Sequence, residues 1–169
     1  MEESKRPALL ALARVLGETR AAYAIIRGLA LQIHQREPRT TLDIDVAVLG
    51  RDSIPRDALL AAGFSFHESF QHSENWVAAD GTPVQFTDDP MLANAIAAAG
   101  EIRVEDVVLR VIRVVDLLHE KLRAAGDPAR RRSKRLQDLG DVEALLEENP
   151  ELALELRSEE RALLEQLLK

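Results

Sequence analysis

Ile25-Ile26-Arg27-Gly28-Leu29-Ala30-Leu31-Gln32-Ile33-His34, followed after Pro38 by Arg39-Thr40-Thr41-Leu42-Asp43-Ile44-Asp45-Val46-Ala47-Val48, decides how the chain is read. Ala22 to Ile26 is a short apolar run of strand character. It feeds Gly28, after which Leu29, Ala30, Ile33 and His34 fall on one face of a helix. A strand that enters a helix through a glycine is a geometry that cradles phosphate. Pro38 stops the helix, and residues 42–48 then alternate with the period of two that a strand requires. Asp43 and Asp45 share one face, and Leu42, Ile44, Val46 and Val48 share the other, core-facing one. Two carboxylates on one strand face repel each other unless a solvent-facing edge or a divalent cation relieves them. Hard oxygen ligands suit Mg2+ or Mn2+.

Outward from this stretch, Pro7 to Glu18 carries leucines and alanines at helical spacing, with Gly17 near its end. Ala58 to Ala62 before Gly63 predicts a short helix, and Phe64 to Phe66 a strand. Trp76 to Ala79 and Pro83 to Phe86 flank Asp80-Gly81, a pair that marks a hairpin between two antiparallel strands. Met91 to Ala99 is alanine-rich and predicts a helix, and Val104 to Val114 holds one or two short strands. Asp116 is placed to cap a helix through Ala125, Ser133 to Glu148 predicts the next, and two short helices follow Asn149-Pro150. The expected fold is therefore α+β, a mixed sheet flanked by helices in residues 1–113 and a helical segment in 114–169 that packs on it.

Composition narrows the function classes. The chain has 169 residues, 46% hydrophobic and 30% charged, which suits a well-cored globular protein. A formal net charge of -7 argues against a surface built to embrace nucleic acid or an anionic membrane. With no cysteine there is no disulfide framework, thiolate metal site or cysteine nucleophile. No apolar run reaches bilayer length, and MEESKRPALL has no signal-type core, so a cytoplasmic protein without a membrane partner is expected. Lys121, Arg123, Arg130, Arg131, Arg132, Lys134 and Arg135 crowd one turn, as either a solvated face or a phosphate contact. The four histidines have no zinc spacing, and Trp76 and Phe86 read as hairpin core.

The I-R-G-L-A-L-Q-I-H run followed by R-T-T-L-D-I-D resembles the nucleotidyltransferase-fold superfamily. More narrowly it resembles the toxin-type minimal nucleotidyltransferases of abortive phage infection, the AbiEii type, directly over residues 20 to 50. Asp116-Leu117-Leu118-His119-Glu120-Lys121-Leu122-Arg123-Ala124 and Ser133-Lys134-Arg135-Leu136-Gln137-Asp138 form a second anchor, similar to that family's K-L-x-A helix and the basic, aspartate-bearing helix after it. The resemblance implies Mg2+- or Mn2+-dependent transfer of a nucleoside monophosphate from a nucleoside triphosphate to a tRNA or protein acceptor. An antitoxin would be a partner in a toxin-antitoxin or phage-defence system. It puts Asp43 and Asp45 on the metal and at the reaction, Lys121 and Asp138 among the catalytic groups, and Arg27, Gly28, Arg39, Thr41, Lys121 and Lys134 on the nucleotide. From the residues alone, Lys121 and Asp138 both lie on the packing side of their helices and are equally read as a buried ion pair, with Asp141 just outside the apolar arc.

Two positions depart from that pattern. Arg27-Gly28 stands where a glycine pair is usual, so Arg27 either contacts phosphate or obstructs it. The third carboxylate, expected on the strand after the hairpin, is replaced by Gln85, a neutral amide; Asp88 is the nearest acid beyond it. The alternative function is therefore a catalytically silent protein of this fold that binds nucleotide or a protein partner.

Overall fold

The computed structural model describes residues 5–36 and 41–169, and these divide between Arg113 and Val114 into two compact units. In the first, α1 (Arg6–Glu18) precedes β1 (Tyr23–Ile26) and α2 (Arg27–His34), then β2 (Ile44–Val48) and α3 (Arg56–Ala61). Strands β3 (Ser65–Ser69), β4 (Ser73–Val77) and β5 (Pro83–Thr87) follow, then α4 (Ala93–Ala97), β6 (Gly100–Val104) and β7 (Val107–Val111). The second unit is α5 (Val114–Gly126), α6 (Arg132–Glu148), a 3-10 turn over Pro150–Glu155 and α7 (Ser158–Leu167).

The seven strands form one mixed sheet in the order β3-β4-β5-β2-β1-β7-β6. β2 runs parallel to β5 and β1 parallel to β7, while the remaining neighbours are antiparallel. The fold is thus α+β, as the sequence predicts. β1 and β2 are buried along their whole length, and Asp45 is the one charged residue in either strand. α1 packs on β7 and α3, and α2 and α4 pack on β1 and β2. The Asp80-Gly81 hairpin forms with Gly81 at φ 89, a left-handed conformation that glycine adopts without steric cost. Trp76 and Phe86 are buried, and Phe66 meets the Trp76 ring edge-on at 5.8 Å between centroids.

The structure shifts several expected boundaries. The predicted strand from Leu42 begins only at Ile44, leaving Leu42 76% exposed rather than in the core. β4 starts three residues before Trp76, and the Met91–Ala99 helix is a 3-10 turn over Pro90–Leu92 followed by the five residues of α4. Pro38 and Arg39 lie outside the described residues.

The second unit has its own core of Leu118, Leu122, Val142, Leu152 and Leu156, with Val114, Val115, Leu146 and Leu164 packed against it. His119 Nδ1 donates to Glu160 Oε1 at 2.7 Å, tying α5 to α7. Among the described residues no helix is long and apolar enough to cross a membrane.

Candidate functional site

The site grows from the register of three central strands. Ile26, the last residue of β1, lies opposite Asp45, and Asp45 lies opposite Gln85 on β5. Gln85 in turn faces Asn75 on β4, and Asn75 faces Glu68 on β3. Directly paired residues project to the same side of a sheet, so Glu68, Asn75, Gln85 and Asp45 form one polar row across four strands. The other side of the same strands is apolar, with Ile44, Val46, Val84, Phe86 and Trp76. Asn75 Nδ2 donates to Glu68 Oε1 at 3.3 Å, and its buried Oδ1 has no hydrogen-bond partner among the described residues.

Arg27 closes the row. It follows Ile26 immediately and turns the chain from β1 into α2 at φ 54, a left-handed conformation that costs a side-chain-bearing residue about 1 kcal/mol. From there Nη1 donates to Gln85 Oε1 at 3.1 Å and lies 3.5 Å from Asp45 Oδ1. Asp45 is buried, and its side chain is only 10% exposed against 43% for Arg27. Nη1 makes both contacts; Nε and Nη2 have no partner among the described residues. An open cleft of about 460 Å³ lies here, lined by Arg27 and Gln85 together with His72, Ser73, Thr87, Asp89 and Pro90.

Gly28 is needed for close approach rather than for its dihedral angles. A Cβ there would sit 2.7 Å from Thr41 Oγ1 and 2.9 Å from Thr41 Cβ, so any side chain pushes away the segment that leads into β2. Gly28→Ala is expected to destabilise the protein by about 1–3 kcal/mol through this overpacking. Adding Thr41→Gly should recover part of the loss. Urea unfolding of the single and double variants checks both, and a neutral Gly28→Ala would rule the contact out.

Of the residues singled out in the sequence, Asp45, Arg27 and Gln85 come together, and Gly28 and Thr41 pack on each other beside them. Asp43 is exposed, one residue ahead of β2 and outside the ladder, so the expected strand pair of carboxylates is one strand residue and one residue preceding it. Asp88 lies just past β5, with its carboxylate 3.9 Å from Arg51 Nε and 3.6 Å from His72 Nδ1. Lys121 and Asp138 meet in the second unit. Lys121 Nζ is 3.1 Å from Asp138 Oδ1 and 2.9 Å from Asp141 Oδ2, and Arg130 Nε is 2.7 Å from Asp138 Oδ2. Lys121, Asp138 and Asp141 are all buried. The charges of Lys121 and Arg130 offset those of Asp138 and Asp141, which is how proteins tolerate buried ions. Asp141 and Arg130 are members that the helical-wheel reading left out. Lys134 is exposed in the first turn of α6.

The resemblance calls for carboxylates that hold a divalent cation, and the side chains as they stand do not fit one. Mg2+ takes hard, charged oxygen ligands. Here the buried carboxylate already has a guanidinium beside it, its cross-strand neighbour is a neutral amide, and the described residues contain no cluster of three side chains suited to a metal.

The architecture is that of nucleotidyltransferase-fold proteins. The chain superposes on JHP933 from Helicobacter pylori with a TM-score of 0.61 at 14% identity, covering 99% of this chain and 75% of that one. It matches an antigenic nucleotidyltransferase-like protein from Paracoccidioides brasiliensis with a TM-score of 0.61 at 18% identity, over 87% of this chain and 78% of that one. The antibiotic-resistance factor ANT(2'')-Ia gives a TM-score of 0.60 at 17% identity, over 99% and 96% of the two chains. At these identities the likeness is one of fold. No protein-family model matches the sequence, and no curated protein matches it.

Proposed function

We propose that this chain binds the phosphate end of a nucleoside triphosphate at the cleft beside Arg27 and Gln85, as a member of the nucleotidyltransferase fold without transfer activity. The observation that carries the reading is the half-used guanidinium of Arg27, anchored through Nη1 while its other nitrogens have no protein partner among the described residues. A planar guanidinium presents paired donors that match phosphate oxygens. Silence follows from Gln85, which cannot supply the charge of a third carboxylate or act as a general base. A cytoplasmic setting agrees with the absence of cysteine.

A second reading is nucleotidyl transfer dependent on Mg2+ or Mn2+, with Asp43 and Asp45 at the metal, Lys121 on the triphosphate, and an AbiEii-like toxin role with a tRNA or protein acceptor and an antitoxin partner. The exposure of Asp43 close to Asp45 favours it, and it requires Arg27 to leave Asp45. One solved structure of ANT(2'')-Ia holds adenylyl-2''-tobramycin, so small hydroxylated acceptors belong in its test beside tRNA and protein.

A panel of nucleoside triphosphates should separate the readings. Saturating ligand at a hundredfold excess over Kd stabilises a protein by about 2.7 kcal/mol, a readily measured thermal shift. The first reading expects that shift with no label moving from an α-labelled nucleotide to any acceptor. Labelled acceptor establishes the second, and no shift with any nucleotide removes both.

A further inference from the structure

A buried carboxylate in the middle of a sheet needs a positive charge, and this molecule supplies it from within its own chain. Asp45 sits on the central strand β2 with its side chain 10% exposed, and the guanidinium of Arg27 lies 3.5 Å from it. The amide of Gln85 takes a hydrogen bond from the same Nη1 at 3.1 Å. This choice of partner is chemically informative. A carboxylate at position 85 would place a second negative charge opposite Asp45 and demand a divalent cation, whereas a neutral amide balances a single-charged guanidinium. Arg27 and Gln85 therefore suit each other: one Nη1 meets both side chains, and a monovalent cation goes with one acidic group fewer. The left-handed backbone of Arg27 points the same way: glycine would adopt φ 54 without strain, so what arginine brings to this position is its side chain.

From this we infer that Arg27 replaces a divalent cation in the cleft, and that phosphate anions bind there without metal. The guanidinium presents five N–H donors, of which the two on Nη1 face Asp45 and Gln85; the three on Nε and Nη2 have no partner among the described residues. With the side chain 43% exposed at the edge of the cleft, those donors take two phosphate oxygens side by side. The inference rests on the reading above only for the nucleotide as the ligand. The replacement of the metal stands on Arg27, Asp45 and Gln85 alone.

Two probes test it without a nucleotide: Mn2+ alone, followed by its paramagnetic resonance signal, and inorganic pyrophosphate, followed by calorimetry in EDTA and in Mg2+. The proteins are the native chain, Arg27→Gly, Arg27→Gln and the double variant Arg27→Gly with Gln85→Asp. Thermal melts show which of them are folded, and Arg27→Gln keeps a hydrogen-bonding side chain should the glycine variant unfold. Native protein is expected to bind pyrophosphate in EDTA and no more tightly in Mg2+, which complexes the free anion, and to bind Mn2+ at least tenfold more weakly than the double variant. Both single variants should lose pyrophosphate affinity at least tenfold in EDTA. Native protein that binds Mn2+ as well as the double variant does, or pyrophosphate binding that needs Mg2+ or survives loss of Arg27, overturns the inference. If pyrophosphate binds without metal while no nucleoside triphosphate does, the replacement stands and the nucleotide reading falls.

Discussion

Replacing Lys121 with methionine is expected to destabilise the protein by about 3–5 kcal/mol, because it deletes the charge that compensates two buried carboxylates while keeping the aliphatic stem. Lys121 Nζ bridges Asp138 at 3.1 Å and Asp141 at 2.9 Å, and all three side chains are nearly inaccessible. Asp138 keeps Arg130 at 2.7 Å when the ammonium is gone. Adding Asp138→Asn or Asp141→Asn to Lys121→Met removes one of the two buried carboxylates and should restore part of the stability. Urea unfolding of the three variants measures this, and no recovery in either double variant, or a loss under about 1 kcal/mol for Lys121→Met, would refute the cluster. Measuring nucleotide affinity on the same variant decides whether Lys121 also serves phosphate. A structural role leaves affinity unchanged once the protein is folded; a role on the triphosphate lowers it beyond the loss of stability.

How much of this was legible in the sequence depends on what fixes each residue. The strand, glycine and helix around Ile26 and Gly28 were readable because hydrophobic period and glycine placement are local signals. The hairpin at Asp80-Gly81 was readable for the same reason, since a left-handed turn selects its residues directly. Asp43 was misplaced into the strand because alternation continues through it, while the ladder does not. β1 ends opposite Asp45 and turns into α2 at Arg27, and on the other side Pro83, which lacks an N–H, is the first residue of β5. The sequence around Arg27 fits contact and obstruction equally, since only the register that sets Asp45 beside Gln85 shows what the guanidinium holds. Asp141 escaped because a helical wheel scores apolarity, and a carboxylate drawn inward by an ammonium has no apolar signature. Glu74 escaped for a related reason: its carboxylate carries no apolar signature, yet Glu74 is 3% exposed on the apolar side of β4.

Glu74 gives the other large expected effect. Its carboxylate accepts from Arg56 Nε at 2.9 Å and Arg56 Nη2 at 2.7 Å, and from Trp76 Nε1 at 2.9 Å. Burial pushes the Glu74 carboxyl up, but the hydrogen bonds from Arg56 and Trp76, together with the charges of Arg56 and Arg51, outweigh it and hold the group below its usual range. A carboxyl whose folded pKa is lowered contributes stability above its unfolded pKa and loses it as pH falls through the folded value. That contribution is present in full at neutral pH. Arg56→Met removes the bidentate partner, so burial is opposed only by the Trp76 hydrogen bond and the Arg51 charge; Glu74 is then held down less, and the variant loses most where Glu74 must carry charge. The expected cost at pH 7 is about 2–3 kcal/mol, below the range for a fully buried pair because Arg56 is 40% exposed and partly screened. The difference from the native protein should hold from pH 7 down to the usual glutamate range and narrow below it, and Glu74→Gln added to Arg56→Met should recover more stability at pH 7 than at about pH 3. Urea unfolding at the two pH values checks each point. A cost independent of pH would mean that Arg56 stabilises the fold through packing of its stem rather than through the Glu74 charge.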